Sequence, residues 1–395
     1  MKIKKIISAL LLIIFATMMV NNVTAKPKPS IANWTFMVYM DADNNLDAWA
    51  YESLAFMEKV GSTEKVNVVV FWDGYYQPAY MYKVVSGNHE LIRNFPYNGK
   101  EANMGDPVTL KAFVDFVVKS FKAQHYVLVL WNHGDDFTGC CWDEHPEDHL
   151  TQDEVVMALA EYPIDILAYD ACLQAMIEVA YEYNARGLNV HYLVASENYV
   201  PTYGYPYDEI LNALIANPEM SALNFAELIV VKFAEFYQPR AHFNGGVMAT
   251  LSVIDISRVD EAVKELADLT NALKNKMEAY HDLISEARGV GNLPWSEYGW
   301  EYYIDMPSFV KHLKDYAPDE IIRNLAGVLL FTLQEDVIKA VGNTKPMDST
   351  EAFGLGIWFP PSETAKLTRE LLPEYEKLEF ASKGWLDFLY AYWNH

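Results

Sequence analysis

The chain has 395 residues, 51% of them hydrophobic and 21% charged, enough apolar side chains for a sizeable core and too many for a disordered chain. Its 54 acidic and 30 basic residues leave a net charge of −24 at pH 7, which repels phosphate backbones and excludes general nucleic-acid binding. Three cysteines cannot make a disulfide framework, so stability must come from packing.

The first 25 residues read as an export signal. Lys2, Lys4 and Lys5 give a basic start, Ile6 to Val20 is an apolar run, and Val23-Thr24-Ala25 offers small residues for cleavage. The run is short for a bilayer-spanning helix. A secreted or outer-surface protein is expected, touching a membrane only if the signal stays uncleaved.

The next part of the chain alternates strand and helix. Trp34 to Met40, Val66 to Trp72, Tyr126 to Trp131, Ile164 to Tyr169 and His191 to Ala195 read as short buried strands. Asp47 to Val60, Leu110 to Phe121, Asp153 to Tyr162 and Leu173 to Tyr183 read as the helices between them. This α/β alternation predicts a mainly parallel sheet covered on both faces. The later half is less regular: helix over Ile256 to Arg288, an aromatic segment from Trp295 to Tyr303 read as core, helices at Pro318 to Val341 and Ser362 to Tyr375, and a strand at Gly354 to Phe359. The expected organisation is a core over 26–250 and a mixed extension over 251–395 packed on it, in one compact unit.

Ligands of such sheets bind beyond the carboxyl ends of the strands. There the third strand runs into Asn132-His133-Gly134 and the fourth into Asp170-Ala171-Cys172. Neighbouring strand ends can bring His133 and Cys172 together, the arrangement a cysteine nucleophile needs. With a helix starting at Leu173, its N-terminus would lower the thiol pKa. The N–H groups of Gly134 and Cys172 are candidates for stabilising an oxyanion.

Asn132-His133-Gly134 and Asp170-Ala171-Cys172-Leu173 resemble the two active-site motifs of the clostripain family of cysteine peptidases. Tyr39-Met40 with Asp43-Asn44-Asn45-Leu46, the stretch Ser196-Glu197 to Gly204-Tyr205-Pro206-Tyr207, Tyr303-Ile304-Asp305 and Gly354 to Pro360 are further matches, so the resemblance covers nearly all of the chain beyond the signal. It implies a caspase-like α/β/α sandwich and a secreted endopeptidase with Cys172 as nucleophile and His133 as general base and acid. It implies cleavage after Arg or Lys, with Asp170 in the first specificity pocket and Ser196 and Glu197 along another wall. A carboxylate facing a guanidinium makes a charge-assisted bond that neutral residues cannot match; the plainer role of Asp170 is an N-cap. The partners implied are basic peptides, taken by a monomer. Some relatives cut themselves between the two motifs, but no Lys or Arg occurs from Ala123 through Ala185, so an active single chain is expected.

Asp135-Asp136 after His133 depart from the family pattern and would raise the imidazole pKa. Gln174 stands where many relatives have Met. Asp41, Asp43, Asn45 and Glu52 match calcium-loop positions, but Leu46 replaces the required Gly, so an EF-hand is rejected in favour of helix capping by Asp43 or Asn45. The chemistry requires no cofactor; calcium stays open without an assigned site. Two other functions remain: a non-catalytic extracellular peptide- or carbohydrate-binding protein on the same scaffold, and a zinc-dependent hydrolase built on Cys140, Cys141, His145 and His149.

Overall fold

Strand β1 (Ala32–Ala42) is buried along its whole length. Its residues alternate between two apolar cores: Met37 and Tyr39 face one, Phe36, Val38 and Met40 the other. A strand buried on both faces reads as a continuous apolar run, which is why the sequence announces it. The computed structural model describes residues 31–239, 248–291, 302–344 and 352–395; the signal segment and most of the aromatic stretch from Trp295 lie outside them. Residues Ala32–His395 form one unit.

After β1 come α1 (Asp47–Glu58), β2 (Val66–Gly74), β3 (Gln77–Val85), β4 (Asn88–Leu91), α2 (Pro107–Ser120) and β5 (Ala123–Trp131). A small antiparallel sheet follows, made of β6 (Gly134–Asp135), β7 (Gly139–Glu144) and β8 (Glu147–Leu150). Then come α3 (Gln152–Leu159), β9 (Ile164–Asp170), α4 (Ile177–Ala185), β10 (Val190–Ala195), α5 (Tyr207–Ala216), α6 (Ala222–Tyr237) and β11 (Thr250–Asp255). The rest contributes α7 (Val259–Lys274), α8 (Met277–Gly291), β12 (Tyr303–Asp305), α9 (Met306–Tyr316), α10 (Glu320–Phe331), β13 (Ile338–Asn343), β14 (Gly356–Trp358), α11 (Lys366–Tyr375) and α12 (Trp385–Trp393).

The main sheet has the order β13-β11-β10-β9-β5-β1-β2-β3-β4. The central strands β10, β9, β5, β1 and β2 are parallel, and antiparallel strands extend both edges. Helices cover both faces: α2, α3, α4 and α7 with one core, α1, α5 and α6 with the other. This is the mainly parallel α/β sandwich expected. Because β2 lies on one side of β1 and β5 on the other, the strand order reverses at β1/β5, where open α/β sheets place their ligands.

Several elements differ from the sequence reading. The long helix from Ile256 is split into α7 and α8. The helix read over Pro318 to Val341 ends at Phe331, passes a wide turn at Thr332–Val337 and becomes β13, held by antiparallel pairing to β11. The β3–β4 hairpin, β11 and the β6–β8 sheet were not anticipated. Among the described residues no helix is long and apolar enough to cross a membrane.

Candidate active site

Strands β5 and β9 pair in register, Trp131 opposite Asp170. His133 and Cys172 each stand two residues beyond that pair. Parallel neighbours run about 4.8 Å apart, so register alone brings the imidazole-bearing and thiol-bearing turns side by side. Gly134 tightens the approach: a Cβ built on it would lie 2.4 Å from the Cys172 carbonyl oxygen and 3.1 Å from Ala171 Cβ. Only glycine permits this contact. His133 and Cys172 line the same cavity, of about 360 Å³, with Asp170 and the Tyr199–Thr202 stretch.

His133 is held from two sides. Its Nε2 lies 2.7 Å from Asn45 Oδ1; with Asn45 accepting, the proton sits on Nε2 and Nδ1 is the basic nitrogen. Its backbone N–H donates to Asn132 Oδ1. Buried Asn132 is fixed in turn by Asp41, by Trp142 O (3.0 Å) and by Asn44 Nδ2 (3.0 Å). Asn45 was missed in the sequence, where it reads as a helix cap. Helix α1 in fact has Leu46 at its N-cap without a side-chain bond, and Asn44 Oδ1 accepts from Leu46 N–H (2.8 Å). The rule pointing to strand ends covers β1 as well as β5 and β9, and would have found it.

Cys172 does not open a helix, as the sequence suggested. Leu173 sits in a bend with a left-handed φ of 56°, and Met176 bridges to Gly356 before the helix begins. Leu173 N–H bonds Asn198 O (3.1 Å), Ala175 N–H bonds Ser196 O (3.0 Å), and Gly356 N–H bonds Ala175 O (2.8 Å). Helix α4 starts only at Ile177, so its dipole cannot help the thiol. Burial pushes the Cys172 thiol up to about 12, opposed by the Val200 N–H bond to Sγ (3.4 Å) and reinforced by Asp170 and Asp135. Burial also lowers the His133 pKa, with Glu144 opposing. The pair therefore rests as thiol and neutral imidazole.

The expectation that Asp135-Asp136 raise the His133 pKa fails for a geometric reason. Asp136 is fully buried, accepting from Tyr303 OH and from Thr138 N–H (2.8 Å). Gln174 is buried beside it, donating to Asp136 O (3.0 Å) and accepting from Gln152 (3.0 Å).

Asp170 lies at the cavity floor, 5% exposed. Its Oδ2 accepts from Tyr205 N–H (3.0 Å) and Tyr207 OH (2.8 Å). Gly204, at φ +63°, lets the loop close over it, since a Cβ there would sit 2.6 Å from Oδ2. The helix that follows in sequence, α4, begins only at Ile177 with Met176 at its N-cap, so Asp170 does not cap it. Burial raises the carboxyl to about 6, those two bonds opposing.

The matching family model, the clostripain family, aligns with residues 38–393. The chain belongs to the clostripain family. As such it is a cysteine endopeptidase. It is 26% identical to clostripain of Hathewaya histolytica over 397 residues, covering 82% of this chain and 74% of that protein. Among solved structures it resembles an inactive zymogen C11 protease from Parabacteroides distasonis, with TM-score 0.65, 19% identity, and 90% and 99% of the two chains covered. It also resembles a secreted C11 cysteine protease from Bacteroides thetaiotaomicron, with TM-score 0.67, 16% identity, and 90% and 100% covered. These likenesses carry the fold.

Two of the residues expected along this family site lie elsewhere. Ser196 and Glu197 are buried away from the cavity. Ser196 Oγ accepts from Asn198 N–H (3.1 Å), and Glu197 Oε1 accepts from Gly354 N–H (2.9 Å). Burial and the Asp305 carboxylate push the Glu197 pKa well up. Ser196 braces its own turn, while Glu197 ties the loop after β10 to the β12–β14 region; the pocket wall is formed instead by Tyr199, Val200, Pro201 and Thr202. The four residues of the proposed zinc site are also apart in role. Cys140 and Cys141 are buried and free in β7, His145 pairs with Asp43 (2.9 Å), and His149 stacks on Trp142 at 3.9 Å.

Proposed function

We propose that this chain is an exported endopeptidase cleaving after Lys or Arg, with Cys172 as nucleophile and His133 as general base and acid. The observation that carries it is one cavity holding a thiol, an imidazole oriented by Asn45 and, at its floor, a buried carboxylate without a cationic partner among the described residues. The substrate's basic side chain enters toward Asp170. Its carbonyl lies between the N–H groups of Gly134 and Cys172, which stabilise the developing oxyanion. His133 Nδ1 takes the thiol proton as sulfur attacks, then delivers it to the leaving amine. Water, activated by the same imidazole, hydrolyses the acyl-enzyme. No cofactor enters these steps, and a single chain builds the site. The basic start, apolar run and small residues before Ala25 support export.

The test is a panel of peptides differing only at P1. Lys and Arg should exceed Gln and Leu by roughly 10²-fold or more in kcat/KM. The ratio of Lys to Gln should rise with pH through about 6 and level off above it, because the Asp170 carboxylate predominates only above its raised pKa. The ratio cancels the His133 limb. A pH-independent ratio, or no preference, contradicts the assignment of Asp170.

A further inference from the structure

An endopeptidase holds its substrate on both sides of the bond it cuts, so the residues after the bond also need a surface. His133 borders two cavities. One holds Cys172 and Asp170. The other, of about 650 Å³, includes neither; it opens on the Asn45 side of the imidazole, against the β7–β8 hairpin. The two cavities divide the substrate. The side chain before the bond points at Asp170, and the leaving amine takes its proton from His133. The chain after the bond therefore continues past the imidazole into the second cavity.

That cavity suits a cationic side chain in two independent ways. Trp142 and His149 stack into one flat wall, with ring centroids 3.9 Å apart and planes 5° apart. The Trp142 carbonyl accepts from Asn44 (2.9 Å) and Asn132 (3.0 Å), which ties the wall to the residue before His133. An indole face attracts cations. Glu144, Glu147 and Asp148 line the same cavity and are exposed. Glu144 stands close enough to act on the His133 imidazole, and Asp148 accepts from Asn103 (2.8 Å). Among the described residues none of these three carboxylates is in an ion pair, and no Lys or Arg borders the cavity.

We propose that this cavity seats the first residues after the scissile bond and selects a basic one at P1′ or P2′, so that substrates with basic residues on both sides of the bond are preferred. Arg fits best. Its planar guanidinium can lie on the indole while its edge donates to a carboxylate, a geometry the compact Lys ammonium does not share. The proposal takes the direction of the substrate from the proposed function, yet the two fail separately.

The test is a series of peptides with Lys fixed at P1 and Arg, Lys, Gln or Glu at P1′ and then at P2′, read as kcat/KM on the full chain. At one of the two positions Arg should exceed Glu by roughly tenfold or more at about 0.05 M salt, and the ratio should shrink at about 0.5 M. Glu144→Gln/Glu147→Gln/Asp148→Asn should bring that ratio to within about threefold of unity. Asp260→Asn/Glu261→Gln/Glu278→Gln removes the same charge from exposed positions on α7 and α8 and should leave the ratio unchanged. Should the first triple variant fail to fold, Glu147→Gln decides alone, with an expected loss of about twofold. A flat series, or an equal fall in both triple variants, overturns the subsite. If Lys is still favoured over Gln at P1 in that case, the proposed function stands. An Arg preference after the bond with none before it removes the role of Asp170 and leaves the subsite intact.

Discussion

Cys172→Ala should lower kcat/KM on a Lys-ending peptide substrate by a factor on the order of 10⁴ or more, with the fold unchanged by circular dichroism. His133→Ala should lose as much, because the resting thiol, pushed up to about 12 by burial, needs the imidazole to take its proton. The sharper expectation is non-additivity. Thiol and imidazole act in one proton transfer, so the double variant should be no worse than either single variant beyond a few-fold. Additive losses would mean two independent contributions and would break the dyad. Cys140→Ser and Cys141→Ser serve as controls, since both side chains are buried in β7 away from the cavity.

Asp170→Asn should reduce kcat/KM for Lys and Arg substrates by roughly 10²–10³-fold while leaving a Gln substrate within a few-fold. The substitution is isosteric: its amide oxygen can still accept from Tyr207 OH and Tyr205 N–H, so the Gly204–Tyr207 loop keeps its place. What disappears is the charge opposite the substrate cation, where little water enters to screen it. The lost pH dependence of the Lys/Gln ratio should accompany the lost selectivity. Equal reduction for both substrates would instead mark Asp170 as a scaffold residue.

Much of this was legible from the chain. The parallel strands were readable because both their faces are buried, the strand-end rule led to His133 and Cys172, and the resemblance to the clostripain family pointed to Asp170. The errors share one cause, pairing between residues remote in sequence. The stretch after Cys172 looks helical, yet its backbone is claimed by Ser196, Asn198 and Gly356. Ile338–Asn343 carries no local mark separating it from the helix before; β11 makes it a strand. Glu197 sits in a motif beside the pocket wall, but its partners are Gly354 and Asp305, both in the later half of the chain. Asn45 was hidden for the same reason, since its partner His133 lies beyond β5, far along the chain.

The most direct test is covalent labelling of the active protein with a peptidyl chloromethyl ketone ending in Lys, followed by peptide mapping in the mass spectrometer. One adduct should form, on Cys172, together with loss of turnover. An adduct on Cys140 or Cys141, or full inactivation with Cys172 unmodified, would contradict the account.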